Sequence, residues 1–213
     1  MLDLQDYRRR VHEMYQPIRA NGDDPSVWMK WRQTRDDLFR THPQSALDET
    51  QKQNFKPLRY FEHNPAFRVM ASLNTEVEPE VITINLDNDG EFRMRRFASV
   101  RFTLPTGTDT GTGMRTGTLS VFWIMGYGGG IFIPFGDATN KETTYGTGRY
   151  LVDTIKDADL GSQDGAMVLD FNYAYHPSCA YHYRWTCPLA PMENRLDFPI
   201  PAGEMLPEFS STP

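Results

Sequence analysis

Nowhere in the 213 residues do 18 apolar side chains follow one another, which excludes a membrane-spanning helix. Cysteine is almost absent: Cys179 and Cys187 are the only two, and a chain of this size can build a core without disulfides or metals. Positive charge is in deficit. Against 28 Asp and Glu stand 22 Lys and Arg, a formal net charge of -6, which argues against nucleic acid or an anionic membrane as partner. The basic spot Arg93, Arg95, Arg96 and Arg101 divides between the two faces of a strand and reads as solvated surface. MLDLQDYRRR at the N-terminus lacks the apolar core of a secretory signal, so the expected location is the cytoplasm. HExxH, GxSxG and CxxC are missing, and no repeat of 20–50 residues occurs. The glycine clusters do not complete a dinucleotide fingerprint, because Ile131 and Leu151 stand where the third glycine is required and no P-loop lysine follows. No cofactor is expected.

What the chain does have is periodicity. Leu4, Tyr7, Val11, Met14 and Ile18 recur at three- and four-residue steps, giving a helix with one apolar face. Asn21-Gly22 interrupts it, and Asp24-Pro25 supplies an N-cap with proline at the first helical position. Trp28, Trp31, Arg35, Leu38 and Phe39 then continue a second helix that ends before His42-Pro43, forming a hairpin with the first. Ser45 is expected to cap a short third helix, with Asp48 as the acid reaching back.

From Leu58 the period changes to two. Ile82, Ile84 and Leu86 alternate, and Asp87-Asn88-Asp89-Gly90 supplies a hairpin turn. The return strand changes parity near Phe97, which predicts a bulge. Pro105 to Gly117 reads as a mobile Gly/Thr-rich loop. Leu119 to Met125 is apolar on both faces and so belongs in the middle of a covered sheet. Ile131–Phe135, Tyr150–Val152, Ala166–Asn172 and Leu196–Ile200 are further strands. The fold class is α+β: an N-terminal helical hairpin followed by a mainly antiparallel β-barrel or β-sandwich. Residues 1–55 form the helical segment, packing on a β-rich domain over 56–213, one structural unit overall.

The polar residues between Phe132 and Asn194 fall into specific motifs. Phe132-Ile133-Pro134-Phe135-Gly136-Asp137-Ala138-Thr139 leads to Thr144-Tyr145-Gly146-Thr147-Gly148-Arg149-Tyr150-Leu151. Leu169-Asp170-Phe171-Asn172-Tyr173-Ala174-Tyr175-His176-Pro177-Ser178-Cys179-Ala180-Tyr181 and Cys187-Pro188-Leu189-Ala190-Pro191-Met192-Glu193-Asn194-Arg195-Leu196 follow. With Trp31-Arg32-Gln33-Thr34-Arg35-Asp36-Asp37-Leu38-Phe39, this set resembles the bacterial and archaeal family known as domain of unknown function 1684, over about Trp28 to Glu204. Two positions depart from the family pattern: His176 replaces the usual Asn, and Ala190 the first of two prolines. The resemblance implies a fold and a motif set, not an activity.

The first functional expectation is a small-molecule-binding β-domain whose pocket holds a small polar or anionic molecule on Arg149, a planar cationic fork. Asp137, Asp170 and Glu193 supply acids, Tyr145, Tyr175 and Tyr181 hydroxyls with apolar bodies, and Asn172 and Asn194 amides. The same residue types also satisfy one another in a closed core network, and that structural alternative stands beside the first. A second expectation is an enzyme of hydrolase or isomerase type, with Asp170 or Glu193 as general base and Arg149 or Tyr145 as electrophilic partner. A thiol variant uses Cys179 or Cys187 as nucleophile, with His182 nearby in sequence. The third is an interaction protein that docks through Trp28, Met29 and Trp31. His176, Cys179, His182 and Cys187 have ligand chemistry suited to zinc, but their compressed spacing makes a metal site the minor alternative.

Overall fold

The computed structural model describes residues 1–86, 90–106 and 113–208. The expected turn at 87–89 and the central part of the expected loop, 107–112, lie outside the described residues. Two helices form the hairpin: α1 (Leu2–Asn21) buries Val11, Met14, Tyr15 and Ile18, and α2 (Pro25–Thr41) buries Trp28, Trp31, Arg35, Leu38 and Phe39. Asp24 caps α2 by accepting the Ser26 N–H at 2.8 Å, the half-helical geometry that Pro25 pre-sets. The short α3 (Glu49–Gln53) is capped by Asp48, whose carboxylate accepts the Gln51 N–H while the Gln51 side chain accepts the Asp48 N–H. Ser45 does not cap it. Its hydroxyl donates to the Phe39 carbonyl at 2.6 Å and so closes the end of α2.

Among the described residues eight strands follow: β1 (Arg68–Asn74), β2 (Val81–Leu86), β3 (Gly90–Pro105), β4 (Met114–Ile124), β5 (Gly130–Phe135), β6 (Arg149–Asp153), β7 (Ser162–Gln163) and β8 (Ala166–Asp170). They form one antiparallel sheet in the order β6-β5-β4-β3-β1-β8-β7, with β2 paired to β3, curled into a half-barrel. The barrel-like form of the expectation is the one realised, and no second facing sheet is present among the described residues. The doubly apolar strand β4 lies between β3 and β5 as its pattern requires.

The register of β3 against β4 shifts between Arg96 and Ala98. Before the shift, Met94 packs in the core beneath the helices. After it, Ala98, Val100, Phe102 and Leu104 all enter the core inside the curl. One inserted residue thus sends a single strand into two different cores. The helix-facing core joins Met14, Ile18, Trp28 and Trp31 to Phe122, Ile124, Phe132 and Tyr150. Both tryptophans therefore pack on the chain's own sheet.

Other expectations differ as well. Met114–Gly117, read as loop, extends β4. Leu196–Ile200 is irregular rather than a strand, although Phe198 and Ile200 are buried in the core inside the curl. β1 was not anticipated, because only Ala71 of its seven residues is buried and the alternating signal is correspondingly weak. Among the described residues no helix is long and apolar enough to cross a membrane.

Candidate functional site

The motif residues gather into separate knots, not one open site. Arg149 opens β6 beside the end of β5, and its side chain is completely enclosed. One guanidinium nitrogen, Nη2, donates to Asp137 Oδ2 at 2.8 Å and to the Ile200 carbonyl at 3.0 Å. The other, Nη1, donates to the Ala202 and Glu204 carbonyls, and the Phe135 ring lies 5.1 Å below the fork. Asp137 is satisfied in turn by the Thr139 N–H and hydroxyl and by the Ile200 N–H. The motif glycine Gly148, at φ 108°, belongs to this construction, since a Cβ there would collide with the Phe135 carbonyl. The expected open pocket on Arg149 is therefore corrected: the ion pair is a sealed strap that fastens residues 200–204 onto the sheet.

Asp170 and Asn172 make a second knot. Asp170 Oδ1 accepts the backbone and side-chain N–H groups of Asn172, and Oδ2 lies 3.4 Å from Arg68 Nη1. Asn172 also exchanges hydrogen bonds with both backbone groups of Asn64. Burial raises the Asp170 carboxyl above its usual range, against the opposing hydrogen bonds of Asn172 and the charge of Arg68. Asn194 makes a third knot, donating to the Pro134 and Ser120 carbonyls at 2.7 and 3.0 Å and accepting the Ser120 N–H at 2.7 Å. It stitches β4 to β5 where no strand pairing does. Asn194→Ala strands buried backbone groups on both strands and is expected to cost about 2–3 kcal/mol, read from the midpoint of urea unfolding. Glu193 sits on the surface, paired to Arg96 at 2.9 Å.

The remaining candidates do meet. Backbone bonds between Tyr150 and Tyr175 pin β6 to the segment after β8, setting the two rings edge-to-face at 5.8 Å. Tyr145 donates its N–H to His176 Nε2 and its hydroxyl to the Cys179 carbonyl, and burial lifts its phenol to about 12. Tyr181 donates to Glu204, which also accepts from Arg35 Nη2 at 2.9 Å and from the His176 N–H at 2.9 Å. Arg35 completes this network through Tyr60 at 2.9 Å. The zinc alternative fails here. His182 turns away to Asp48 at 3.2 Å, and no group of three or more His, Cys, Asp or Glu among the described residues could hold a metal.

Between the helix pair and the sheet face carrying Phe92, Ile124 and Phe132 lies a cavity of about 390 Å³. Phe39, Tyr150, Ile155 and Tyr175 extend its apolar wall, and Ser178 and Trp185 to Pro188 form its rim. Its polar residues include Arg35, Asp153, Lys156, Tyr175, His176 and Tyr181. Asp153 ends β6, with Oδ2 at 3.5 Å from the Lys156 ammonium. Its other oxygen, Oδ1, has no hydrogen-bond partner although buried, and the same holds for the Tyr175 hydroxyl and His176 Nδ1. Of the nine motif candidates, Tyr175 and Tyr181 line this cavity and Arg149 does not; its arginine is Arg35. Sequence reasoning missed Arg35, Asp153 and Glu204. The signals were a charged residue on the apolar stripe of α2 and an acid directly after the run Tyr150-Leu151-Val152.

The family model described as Protein of unknown function (DUF1684) matches residues 53–205, well over half of the chain. The chain belongs to the DUF1684 family. The solution structure of the uncharacterized protein from gene locus rrnAC0354 of Haloarcula marismortui is similar to it, at 27% identity and a TM-score of 0.55. That likeness covers 87% of this chain and 97% of the Haloarcula protein. No curated protein matches. The DUF1684 match takes in all nine motif candidates but begins after α1 and α2, so Arg35 lies outside it while Asp153, Tyr175 and Glu204 lie within.

Proposed function

We propose that this DUF1684 protein is a small-molecule-binding module, with its ligand held in the cavity between the helix pair and the sheet. The observation that carries this reading is an aromatic-walled cavity of about 390 Å³ lined by two residues, Asp153 and Tyr175, that each hold a buried oxygen without a hydrogen-bond partner. Buried polar atoms without partners are costly, and a ligand that supplies the partner recovers that cost. The volume is that of a small ligand site. An acceptor oxygen beside a phenol selects an alcohol or amine head on an aromatic or branched aliphatic body. The acids offered for general-base chemistry, Asp170 and Glu193, are both ion-paired outside the cavity, which favours binding over catalysis by them.

The test is titration of the full chain with 2-phenylethanol and with phenylacetate, followed by amide NMR shifts. The alcohol is expected to move the amides of Tyr150, Asp153 and Tyr175, and Asp153→Asn to weaken it about tenfold. Preference for the carboxylate, or shifts confined to other surfaces, overturns the reading.

A further inference from the structure

Cys179 and Cys187 occupy one wall of a short strap whose ends are already anchored. Tyr145 donates to the Cys179 carbonyl, Tyr150 donates to the Pro188 carbonyl at 2.7 Å, and Trp185 Nε1 donates to the Ala46 carbonyl at 2.8 Å. This scaffold brings Cys187 Sγ up to the Cys179 backbone, whose N–H donates to it at 3.3 Å. Both cysteines are partly accessible and unbridged. We propose that Cys179 and Cys187 form a thiol–disulfide exchange site for small aliphatic disulfides, in which Cys187 attacks and Cys179 resolves. This goes beyond the binding reading and does not depend on a ligand in the cavity.

The asymmetry between the two thiols follows from their surroundings. The Cys179 thiol, the Cys179 and Ser178 N–H groups and the Lys156 ammonium all favour a Cys187 thiolate, holding that thiol down to about 7 despite burial. Cys179 is pushed up, first by the Cys187 sulfur it faces and then by burial. In the exchange, the Cys187 thiolate attacks one sulfur of RSSR, forming a mixed disulfide and expelling one RS⁻. Cys179 then loses its proton and attacks the Cys187 sulfur, which breaks the mixed disulfide and expels the second RS⁻. Two protein thiols are oxidised, RSSR is reduced to two RSH, and the two protein protons end on those thiols. Because the strap pre-places the sulfurs, the resolving step meets little loop-closure cost.

The test uses the native full-length chain in buffers of oxidised and reduced glutathione, with acid quench and intact-mass analysis. Expected is loss of 2 Da, a mass change set by the removal of two hydrogens, with both cysteines protected from later alkylation. In the reduced chain, peptide mapping after brief iodoacetamide treatment is expected to show Cys187 modified about tenfold or more faster than Cys179, its rate rising through a midpoint near pH 7. Cys179→Ser is expected to stop at one glutathione on Cys187. The proposal is overturned if the native chain accumulates only mixed disulfides or linked dimers, if it stays reduced in fully oxidised glutathione, or if Cys179 is the faster thiol. The mapping uses the unmutated chain, so these outcomes do not depend on a variant folding.

Discussion

Arg149→Met is expected to lower the unfolding free energy by about 3–5 kcal/mol, since it leaves the Asp137 carboxylate buried without its cation. Two carbonyls, of Ala202 and Glu204, lose their Arg149 donor at the same time, while the Ile200 carbonyl keeps the Ala202 N–H at 2.8 Å. Against a total stability of about 5–15 kcal/mol for a domain, the loss places the variant near the folding threshold. The double variant Asp137→Asn/Arg149→Met removes the stranded charge but not the stranded carbonyls, so it is expected to recover part of the deficit and no more. Urea unfolding followed by tryptophan fluorescence reads both. Trp28 and Trp31 lie in the helix-facing core, so a strap failure that spreads to the whole fold moves their signal. A deficit below about 1 kcal/mol for the single variant would sink the account of Arg149 as a sealed strap, because that is the size of an exposed ion pair.

Arg35→Met is the second large effect, at about 3–5 kcal/mol near neutral pH. Arg35 lies on α2 and Glu204 in the C-terminal segment, 169 positions apart, and their bond at 2.9 Å fastens the helix layer to the half-barrel. Both are buried, and burial already raises the Glu204 carboxyl above its ordinary range while Arg35 opposes that rise. Removing the guanidinium raises it further. A carboxyl whose folded value lies above its unfolded value supports stability below the ordinary carboxylate range and loses that support as pH rises through the folded value. The deficit of Arg35→Met is therefore expected to shrink when unfolding is measured at pH 5 and to grow at pH 8. Arg35→Met/Glu204→Gln removes the titration of this carboxyl, so its own unfolding free energy is expected to change less between pH 5 and pH 8 than that of Arg35→Met. A deficit for the single variant that is independent of pH would show that packing of the guanidinium over Trp31 and Tyr175, not charge, is what Arg35 contributes.

The two arginines divide the sequence expectation. Arg149 was singled out because it stands in a dense motif, yet that density serves closure: Gly148 admits the neighbouring backbone, and Asp137 and Thr139 complete the cage. Glu193 stands in an equally dense motif and reaches only the surface, paired to Arg96. Motif density marks positions where geometry is demanding, and a buried ion pair is as demanding as a ligand site. Arg35 was visible as an anomaly, a cation among Trp28, Trp31, Leu38 and Phe39. Its meaning was hidden because Glu204 sits near the far end of the chain, and no local pattern joins the two.

Periodicity determined the helix pair, the central place of the strand from Leu119 in the sheet, though Trp123 and Met125 stay exposed, and the bulge near Phe97. These depend on which side of a helix or strand a side chain leaves, a property of neighbouring residues. Tertiary structure alone decided which polar groups close on one another and which are left over. Arg149 closes on Asp137 and Arg35 on Glu204, while Asp153 Oδ1 and the Tyr175 hydroxyl are left without partners, and those pairings exist only once the sheet has curled and the C-terminal segment has crossed it.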